Sequence, residues 1–290
     1  MVSSKPDLAA QRTRELDRVV MLALEEDLGA DDTDVTTQAV VDQELMGEAV
    51  VIARQPGVLS GMDAAARVFE LARLACEYYV LLADGTRLQA GDEVARVSGP
   101  LSSILTAERT ALNFLQRLSG IATVTRRYVD ALDAYPDVRL LDTRKTTPGL
   151  RFLERAAVRA GGGHNHRDGL WDAILIKDNH VAAAGGVAEA IRRARRARMP
   201  IEVEVDTLEQ LREALDEGAE MVLLDNMSPE HMRRAFEMTA GRARLEASGG
   251  MTLEGAVAAA KAGVDRISVG ALTHSAPALD LSLEVTKTWR

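Results

Sequence analysis

The sequence predicts an α/β protein in which a small mixed domain precedes an incomplete (β/α) barrel. The chain has 290 residues, of which 47% are hydrophobic, and this is enough for a large packed core. From Val138 onward, short apolar runs alternate with helical patterns, as is typical of a parallel sheet. These runs carry no Gly-x-Gly-x-x-Gly fingerprint, which favours a barrel over a dinucleotide-binding sheet.

Two long helical patterns frame the first part of the chain. Apolar residues recur at helical intervals over residues 8–28, and Gly29 ends that pattern. A second helical pattern covers residues 101–118 and is expected to end near Gly120. We expect this second helix to lead from the small domain into the barrel.

The small domain is predicted from a change of pattern between the two helices. Runs of β-like sequence occur at 49–53 and 93–97, separated by turns that contain glycine and proline, with one helix near 62–75. The tail at 279–285 alternates apolar and polar residues with a period of two, which indicates a half-exposed strand. We expect this tail to return to the sheet of the small domain.

The barrel is predicted from six apolar runs. They cover residues 138–141, 173–176, 201–205, 221–224, 244–247 and 266–269. The first five are each followed by a helical pattern, so we expect parallel strands with helical crossovers. Six strands are fewer than the eight of a complete barrel, and the barrel is therefore expected to be incomplete.

Several cationic residues lie in or beside turns around the first barrel strands. They are Arg144, Lys145, His166, Arg167 and Lys177. A single cation in a loop is ordinarily solvated surface, but the formal net charge of the chain is -9, so this concentration indicates a pocket for an anion. The predicted guest is small and multiply negative.

The later strands end in acidic and glycine-rich sequence. Glu204 and Asp225 lie at the ends of two neighbouring runs, and the turns at 248–250 and 269–271 contain glycine. Backbone N–H groups in such turns can bind phosphate, and carboxylate oxygens are ligands that Mg²⁺ prefers. A phosphorylated ligand with bound Mg²⁺ is therefore expected at the carboxyl ends of the strands.

Composition excludes several classes of protein. The acidic balance argues against binding to nucleic acid. No apolar run approaches the roughly 20 residues that cross a bilayer, so we expect a cytoplasmic protein without a membrane partner. Cys76 is the single cysteine, which excludes a disulfide within the chain, and a buried inert thiol is expected.

Five motifs in the sequence resemble the quinolinate phosphoribosyltransferase family. They are Asp-Thr-Arg-Lys-Thr-Thr-Pro-Gly-Leu-Arg at 142–151, Gly-Gly-Gly-His-Asn-His-Arg-Asp-Gly-Leu at 161–170, Ile-Lys-Asp-Asn-His at 176–180, Glu-Val-Glu-Val-Asp at 202–206 and Ser-Gly-Gly at 248–250. The likeness covers nearly the whole chain. It implies an N-terminal α/β sandwich domain, 1–112 joined by 279–290, and an α/β barrel of about seven strands at 113–278.

The resemblance also implies an activity and a set of site residues. Quinolinate, phosphoribosyl pyrophosphate and Mg²⁺ would give nicotinate mononucleotide, pyrophosphate and CO₂ in de novo NAD biosynthesis. Residues implied to surround the carboxylates of quinolinate are Arg109, Arg144, His166, Arg167 and Lys177. Those implied to serve the phosphoribosyl donor are Lys145, Glu204, Asp225, Ser248, Gly249, Gly250, Val269, Gly270 and Ala271, and Thr143 is expected to bind substrate as well.

Four of these residues are expected to be catalytic: Lys145, Lys177, Glu204 and Asp225. Glu204 and Asp225 would bind Mg²⁺ directly or through the phosphoribosyl donor. The resemblance further implies a homodimer whose active site is shared between subunits through Arg109, and assembly into a hexamer of dimers is left open. Lys177 and a bound water are both open as the proton donor after decarboxylation.

Three other functions are compatible with parts of the pattern. A phosphoribosyltransferase of the same fold would act on nicotinate or on an unknown substrate near molybdate transport genes. A Schiff-base lyase would use Lys177 at a strand end, and a non-catalytic barrel would bind the anion without turnover. Neither of the last two explains why cationic and acidic residues are placed together.

Overall fold

The computed structural model describes residues 8–72 and 76–290, with side chains from residue 12 onward. The chain forms two compact units. The first comprises Met1–Thr123, Pro148–Ala160 and Ala276–Arg290, and the second comprises Val124–Thr147 and Gly161–Ser275. A compact unit is not the same as a domain, so the predicted domain bounds stay a prediction.

The first unit combines helices with a four-stranded sheet. Its elements are α1 (Leu8–Leu28), α2 (Val35–Val40), β1 (Met46–Ala53), β2 (Gly57–Val58), α3 (Met62–Leu71), β3 (Glu77–Val80), β4 (Arg87–Leu88), β5 (Glu93–Pro100), the start of α4 (Leu101–Ala131), α5 (Arg151–Ala160) and β12 (Leu281–Trp289). The sheet has the order β12-β1-β5-β3 and all its pairs are antiparallel. The predicted return of the C-terminal tail to this sheet is confirmed.

Two predicted helix ends were wrong or fall outside the described residues. The helix predicted near 62–75 ends at Leu71, and residues 73–75 lie outside the described part, as do residues 1–7 before α1. The helix predicted to end near Gly120 continues to Ala131. A Cβ on Gly120 would lie 2.0 Å from the carbonyl oxygen of Pro277, so this glycine serves a close approach of two backbones and does not end the helix.

The second unit is built on a parallel sheet. Its strands are β6 (Arg139–Leu141), β7 (Ile174–Ile176), β8 (Ile201–Val205), β9 (Met221–Asp225), β10 (Arg244–Ser248) and β11 (Arg266–Ser268). The helices between them are α6 (Asp178–Ala184), α7 (Val187–Ala194), a short 3₁₀ turn (Arg195–Ala197), α8 (Leu208–Asp216), α9 (Pro229–Thr239), α10 (Leu253–Ala262) and α11 (Ala271–His274). All six predicted strands are confirmed, and each observed end lies within one residue of the predicted one.

The barrel is incomplete, as the sequence predicted. The six strands have the order β6-β11-β10-β9-β8-β7, and ladder pairing stops at β6 and β7. A parallel bridge between Leu141 and His164 continues the pairing beyond β6, so the segment around His164 takes the place of a further strand. The fold is therefore an α/β barrel of about seven strands together with a separate antiparallel sheet.

Two expectations from composition can be compared with the structure. Among residues 8–72 and 76–290, no helix has both the length and the apolar character needed to cross a membrane. Cys76 is buried, and burial raises the pKa of its thiol to about 11, so the thiol stays protonated at neutral pH. The expected burial of Cys76 is confirmed, and its inertness stays a prediction.

Candidate active site

An ion pair joins the carboxyl ends of β7 and β8. Lys177 follows the last residue of β7, and its Nζ donates to Oε2 of Glu204 on β8 at 2.8 Å. The side chain of Lys177 is 46% exposed and that of Glu204 is 11% exposed, so a ligand can reach this pair from solvent. Asp225 ends the neighbouring strand β9, which places a second carboxylate at the same edge of the sheet.

The glycine-rich turn after β10 closely approaches Asn226, the residue that follows Asp225. Ser248 is paired in register with Asp225, and Gly249 follows with a φ of +98°. A Cβ on Gly249 would lie 2.2 Å from Oδ1 of Asn226, so only glycine fits here without a shift of its neighbours. The backbone of 248–250 therefore lies beside the turn that follows β9.

The last barrel turn is joined to the turn that carries Lys145. The hydroxyl of Thr273 donates to the carbonyl oxygen of Lys145 at 2.8 Å, and a Cβ on Gly270 would lie 3.1 Å from Cδ of Lys145. Within the Lys145 turn, the backbone N–H of Lys145 donates to Oγ1 of Thr143 at 3.1 Å. Lys145 and the turn at 269–271, both predicted to serve the phosphoribosyl donor, therefore lie together in the second unit.

Arg144 and Arg167 form a pair of like charges. Burial lowers the pKa of Arg167, and the neighbouring charge of Arg144 lowers it further. Nη1 of Arg167 donates to the carbonyl oxygen of Ala173 at 2.9 Å, which fixes one end of the guanidinium. The charges of Asp172 and Glu202 act in the opposite direction, and an anion bound near the two guanidinium groups would act in the same way as these carboxylates.

His166, Glu202 and Glu246 form a cluster that we call the buried triad. Nε2 of His166 lies 3.0 Å from Oε2 of Glu202 and 3.3 Å from Oε1 of Glu246. The three side chains are 13%, 5% and 1% exposed, respectively. Arg266 adds a cation at the edge of the cluster, with Nη1 4.0 Å from Oε2 of Glu246.

Proton binding in the buried triad is strongly perturbed. Burial disfavours a charge on His166, but hydrogen bonds and charge attraction from Glu202 and Glu246 outweigh it and raise the pKa of the imidazole to about 10. Burial raises the pKa of Glu202 as well, and the nearby charge of Glu246 acts in the same direction, while His166 opposes both. The triad therefore holds a proton on or near Nε2 at neutral pH.

Asp142 holds the backbone beside the buried triad. Its side chain is fully buried, and its oxygens accept from the backbone N–H of His166 at 2.7 Å and from Nδ2 of Asn165 at 2.6 Å. A cavity of about 280 Å³ lies next to this segment, lined by Arg167, Arg266 and the first residues of β8 and β9 among others. His166 and Arg167 thus border a cavity near the beginnings of strands, whereas Lys177 and Glu204 lie at strand ends.

The structure places most of the predicted site residues in the second unit. The exception is Arg109, which lies exposed on α4 within the first unit. Val269 is buried, and its N–H donates to the carbonyl oxygen of Leu141, so its side chain supports the turn while the backbone forms it. The substrate contacts assigned to all these residues stay predictions.

Two family models match the chain over nearly all of its length. One is described as "Quinolinate phosphoribosyl transferase, N-terminal domain" and matches residues 34–119. The other is described as "Quinolinate phosphoribosyl transferase, C-terminal domain" and matches residues 121–284. The chain belongs to the quinolinate phosphoribosyltransferase family. The resemblance seen in the sequence motifs is confirmed.

Individual members of the quinolinate phosphoribosyltransferase family match along most of their own length. The chain is 45% identical to a probable nicotinate-nucleotide pyrophosphorylase (carboxylating) of Bacillus subtilis, over 90% of each chain. It is 47% identical to a nicotinate-nucleotide pyrophosphorylase (carboxylating) of Mycobacterium leprae, over 91% of this chain and 94% of that one. The crystal structure of the pyrophosphorylase from Francisella tularensis superimposes with a TM-score of 0.89 at 42% identity, covering 94% of this chain and 96% of that one.

Three residues near the candidate site were not among the site residues predicted from the sequence. They are Asp142, Glu202 and Glu246. A signal was present in the sequence, because Glu202 and Glu246 each lie two positions before a predicted site residue, Glu204 and Ser248. Residues two apart on a strand point to the same face of the sheet. Glu202 and Glu246 therefore share a face with predicted site residues, and a charged residue inside an apolar run indicated this.

Proposed function

We propose that this enzyme transfers the phosphoribosyl group of phosphoribosyl pyrophosphate to quinolinate with decarboxylation, in the cytoplasm. The products are nicotinate mononucleotide, pyrophosphate and CO₂, a step of de novo NAD biosynthesis. The observation that carries the proposal is that three cationic residues, Arg144, Arg167 and Lys177, belong to the same unit as Glu204 and Asp225 at the ends of adjacent strands. Family membership supports the same reaction.

Quinolinate is bound through its carboxylates. A guanidinium donates two parallel hydrogen bonds to one carboxylate, so Arg144 and Arg167 match the charge and geometry of a dicarboxylate. Binding relieves the repulsion that lowers the pKa of Arg167. Lys177 adds an ammonium that can turn from Glu204 towards the same ligand.

The phosphoribosyl donor lies against the strand ends. Glu204 and Asp225 provide hard oxygen ligands on adjacent strands, so this donor set fits Mg²⁺, which when bound neutralises charge on the pyrophosphate. Ser248–Gly250 and Gly270–Ala271 offer backbone N–H groups to phosphate, and Lys145 lies against Gly270. Val269 supports the second of these turns through its bond to Leu141. The carboxylates also balance positive charge that develops at the anomeric carbon.

The reaction then proceeds in two stages. The ring nitrogen of quinolinate attacks the anomeric carbon as pyrophosphate leaves, which gives a quaternised ring. That ring accepts the electron pair left when the adjacent carboxylate departs as CO₂. Lys177 and a bound water are the two candidate donors of the proton that completes nicotinate mononucleotide.

Release of pyrophosphate tests the substrate assignment. We expect turnover with quinolinate and phosphoribosyl pyrophosphate, and a rate at least about a hundredfold lower with nicotinate, because nicotinate leaves one guanidinium of the pair unmatched. Preference for nicotinate would identify a related transferase instead. Trapping of a carbonyl substrate on Lys177 by borohydride would support a lyase, but an ammonium bound to Glu204 is a poor nucleophile.

We further propose a homodimer in which Arg109 completes the partner's site. Arg109 is exposed in the first unit, whereas the other predicted quinolinate residues belong to the second. In a two-fold symmetric dimer every contact between the subunits occurs twice, so the Arg109 of each subunit can reach the site of the other. Chains with Arg109→Ala and with Arg144→Ala should each be nearly inactive.

Mixing these two variants gives the test. After subunit exchange about half the dimers are mixed, and each has one intact site of two, so about a quarter of wild-type activity should return. Exchange is followed with differently tagged subunits. No recovery after demonstrated exchange would contradict the shared site.

A further inference from the structure

The chain bends at Asn226, between the end of β9 and the start of α9. Leu224 and Met227 on either side are both buried, so Asp225 and Asn226 carry the chain across the strand end between two fixed points. Asn226 has a left-handed backbone conformation, with a φ of +52°. Asparagine tolerates this conformation better than most residues, but glycine tolerates it better still. The bend alone therefore does not explain why residue 226 carries a side chain.

The side-chain amide of Asn226 faces the carboxylate of Asp225. Nδ2 of Asn226 donates to Oδ2 of Asp225 at 2.8 Å. A carboxylate only accepts hydrogen bonds, so this contact requires the NH₂ end of the amide. Within residues 12–72 and 76–290, the other carboxylate oxygen, Oδ1, has no hydrogen-bond or ion-pair partner. Asn226 is exposed and Asp225 is half-buried, so a ligand can reach that oxygen from solvent.

The rest of Asn226 lies against the turn at 248–250. Its backbone N–H donates to the carbonyl oxygen of Ser248 at 3.0 Å, and a Cβ on Gly249 would overlap its amide oxygen. Ser248 is also paired in register with Asp225. One residue therefore contacts two elements that serve the phosphoribosyl donor in the proposed function, the carboxylate at the end of β9 and the glycine-rich turn after β10.

A carboxylate that is held by one oxygen presents the other in a defined direction. An aspartate side chain without a partner rotates, and ordering it when a ligand binds costs free energy. A hydrogen bond to a charged acceptor is stronger than one between neutral groups, and the bond from Asn226 is in place before any ligand arrives. Oδ1 of Asp225 is thereby left to the ligand, with its direction already fixed.

We infer that Asn226 is a positioning residue for the phosphoribosyl donor, because its amide holds Oδ2 of Asp225 while its backbone holds the turn at 248–250. The inference rests on the proposed function for the identity of the ligand. It assigns to Asn226 no contact of its own with the donor or with quinolinate. Loss of the amide should therefore act through Asp225 and affect only the donor side.

Two variants keep the bend and remove the donated hydrogen bond. Asn226→Gly retains the left-handed backbone without an amide, and Asn226→Asp retains the shape but places an oxygen against Oδ2 of Asp225. We expect each to weaken binding of phosphoribosyl pyrophosphate with Mg²⁺ about tenfold in calorimetry. Binding of quinolinate alone should stay within about twofold of wild type. Wild-type donor affinity in either variant would show that Asn226 only forms a bend and would overturn the inference.

Ala240→Gly is the matched control for the change to glycine. Ala240 follows α9 in the same unit and also has a left-handed backbone, with a φ of +46°, but its methyl group donates no hydrogen bond. Its donor affinity should stay within about twofold of wild type. A loss equal to that of Asn226→Gly would mean that any relaxed backbone in this unit weakens binding, and would contradict a role for the amide.

A double-mutant cycle determines whether Asn226 acts through Asp225. Asp225→Ala removes the carboxylate, and adding Asn226→Gly should then weaken donor binding by no more than about a further twofold, because the amide has nothing left to hold. A further loss of about tenfold, as in the wild-type background, would show that Asn226 contacts the donor directly and would overturn the inference.

The bond to Asp225 can also be measured without any ligand. The chain has four asparagines, so ¹⁵N-labelled asparagine gives few side-chain signals, and those of Asn226 disappear in Asn226→Asp. We expect one Asn226 amide proton to shift upfield in Asp225→Ala, because its hydrogen bond to the carboxylate is lost. The signals of Asn165, which donates to Asp142, should stay unchanged and serve as the internal control.

An Asn226 signal that does not move in Asp225→Ala would overturn the inference. This result is independent of the identity of the ligand. If the wild-type protein does not bind phosphoribosyl pyrophosphate, the proposed function fails, while the ligand-free spectrum still decides whether Asn226 holds Asp225.

Discussion

Glu202 and Glu204 lie two residues apart on one strand, yet they belong to different electrostatic environments. Glu204 bonds to Lys177, whose side chain is 46% exposed, at the strand end. Glu202 bonds to His166, whose side chain is 13% exposed, in the buried triad. Charges that solvent reaches can exchange their partner for a ligand, whereas charges without access to solvent must keep the partner they have.

The two environments also differ in what they contribute to stability. An exposed ion pair typically contributes about 0–1 kcal/mol, because water screens it and two side chains must be ordered. Removing one member of a buried pair costs about 3–5 kcal/mol, since the remaining charge is left without compensation. The buried triad is thus expected to support the fold and the strand-end charges to support the reaction.

The largest expected effect is on stability. Glu246→Ala should lower the free energy of unfolding by about 3 kcal/mol, because it removes a buried carboxylate that faces His166 and Arg266. Urea unfolding measures the change. The matched control is Glu230→Ala on the surface of α9, where the pair with Arg234 should contribute less than about 1 kcal/mol. Equal losses for the two variants would contradict the distinction between the environments.

The second effect is on the reaction. Arg144→Lys should lower kcat/KM for quinolinate about thirtyfold, because one ammonium cannot make the two parallel bonds of a guanidinium. Steady-state kinetics with quinolinate varied at saturating donor measure the change. Unfolding by urea serves as the control and should be altered by less than about 0.5 kcal/mol. Unchanged kinetics would show that Arg144 is a surface charge.

A smaller effect separates the two substrates. Asp225→Asn should weaken binding of phosphoribosyl pyrophosphate with Mg²⁺ about tenfold, since it removes a negative oxygen ligand at the end of β9. Binding of quinolinate alone should be unchanged. Calorimetry with each ligand separately measures both affinities. Loss of quinolinate affinity alone would reverse the assignment of Asp225 to the donor side.

The smallest effect concerns stability at the strand ends. Lys177→Gln should change the free energy of unfolding by less than about 1 kcal/mol, because the side chain of Lys177 is 46% exposed and its pair with Glu204 is screened by water. Thermal and urea unfolding at low and high salt give the value. A loss as large as that of Glu246→Ala would mean that this pair supports the fold after all.

Local sequence patterns were sufficient to predict the strands of the barrel. The run at 201–205 became β8 without change, and Val203 and Val205 are buried in the parallel sheet as expected of such a run. The C-terminal strand was equally visible, since its alternating residues indicate one exposed face. Gly120 was misread because the close approach of Pro277, 157 positions later, leaves no local signal in the sequence.

The site was predicted less completely than the fold. Lys177 and Asp225 could be found because each directly follows a predicted apolar run, and Glu204 because it lies next to the last residue of one. Glu202 and Glu246 lie within such runs, and which charges meet there depends on how strands distant in sequence are ordered in the sheet. The direction of the His166 ring is set by Asp142, Glu202, Glu246 and Arg167 together, so it could not be read from the spacing of residues.

The position of β12 beside β1 affects how the chain folds during synthesis. Strand β1 leaves the ribosome about 230 residues before β12, which at roughly 5–20 residues per second is a delay on the order of ten seconds or more. During that time one edge of β1 has no neighbour and can pair with another chain. The second unit, which ends at Ser275, is translated completely before the sheet of the first unit can close. Chaperone protection of a nascent sheet edge is therefore expected to matter most for the part of this protein that is made first.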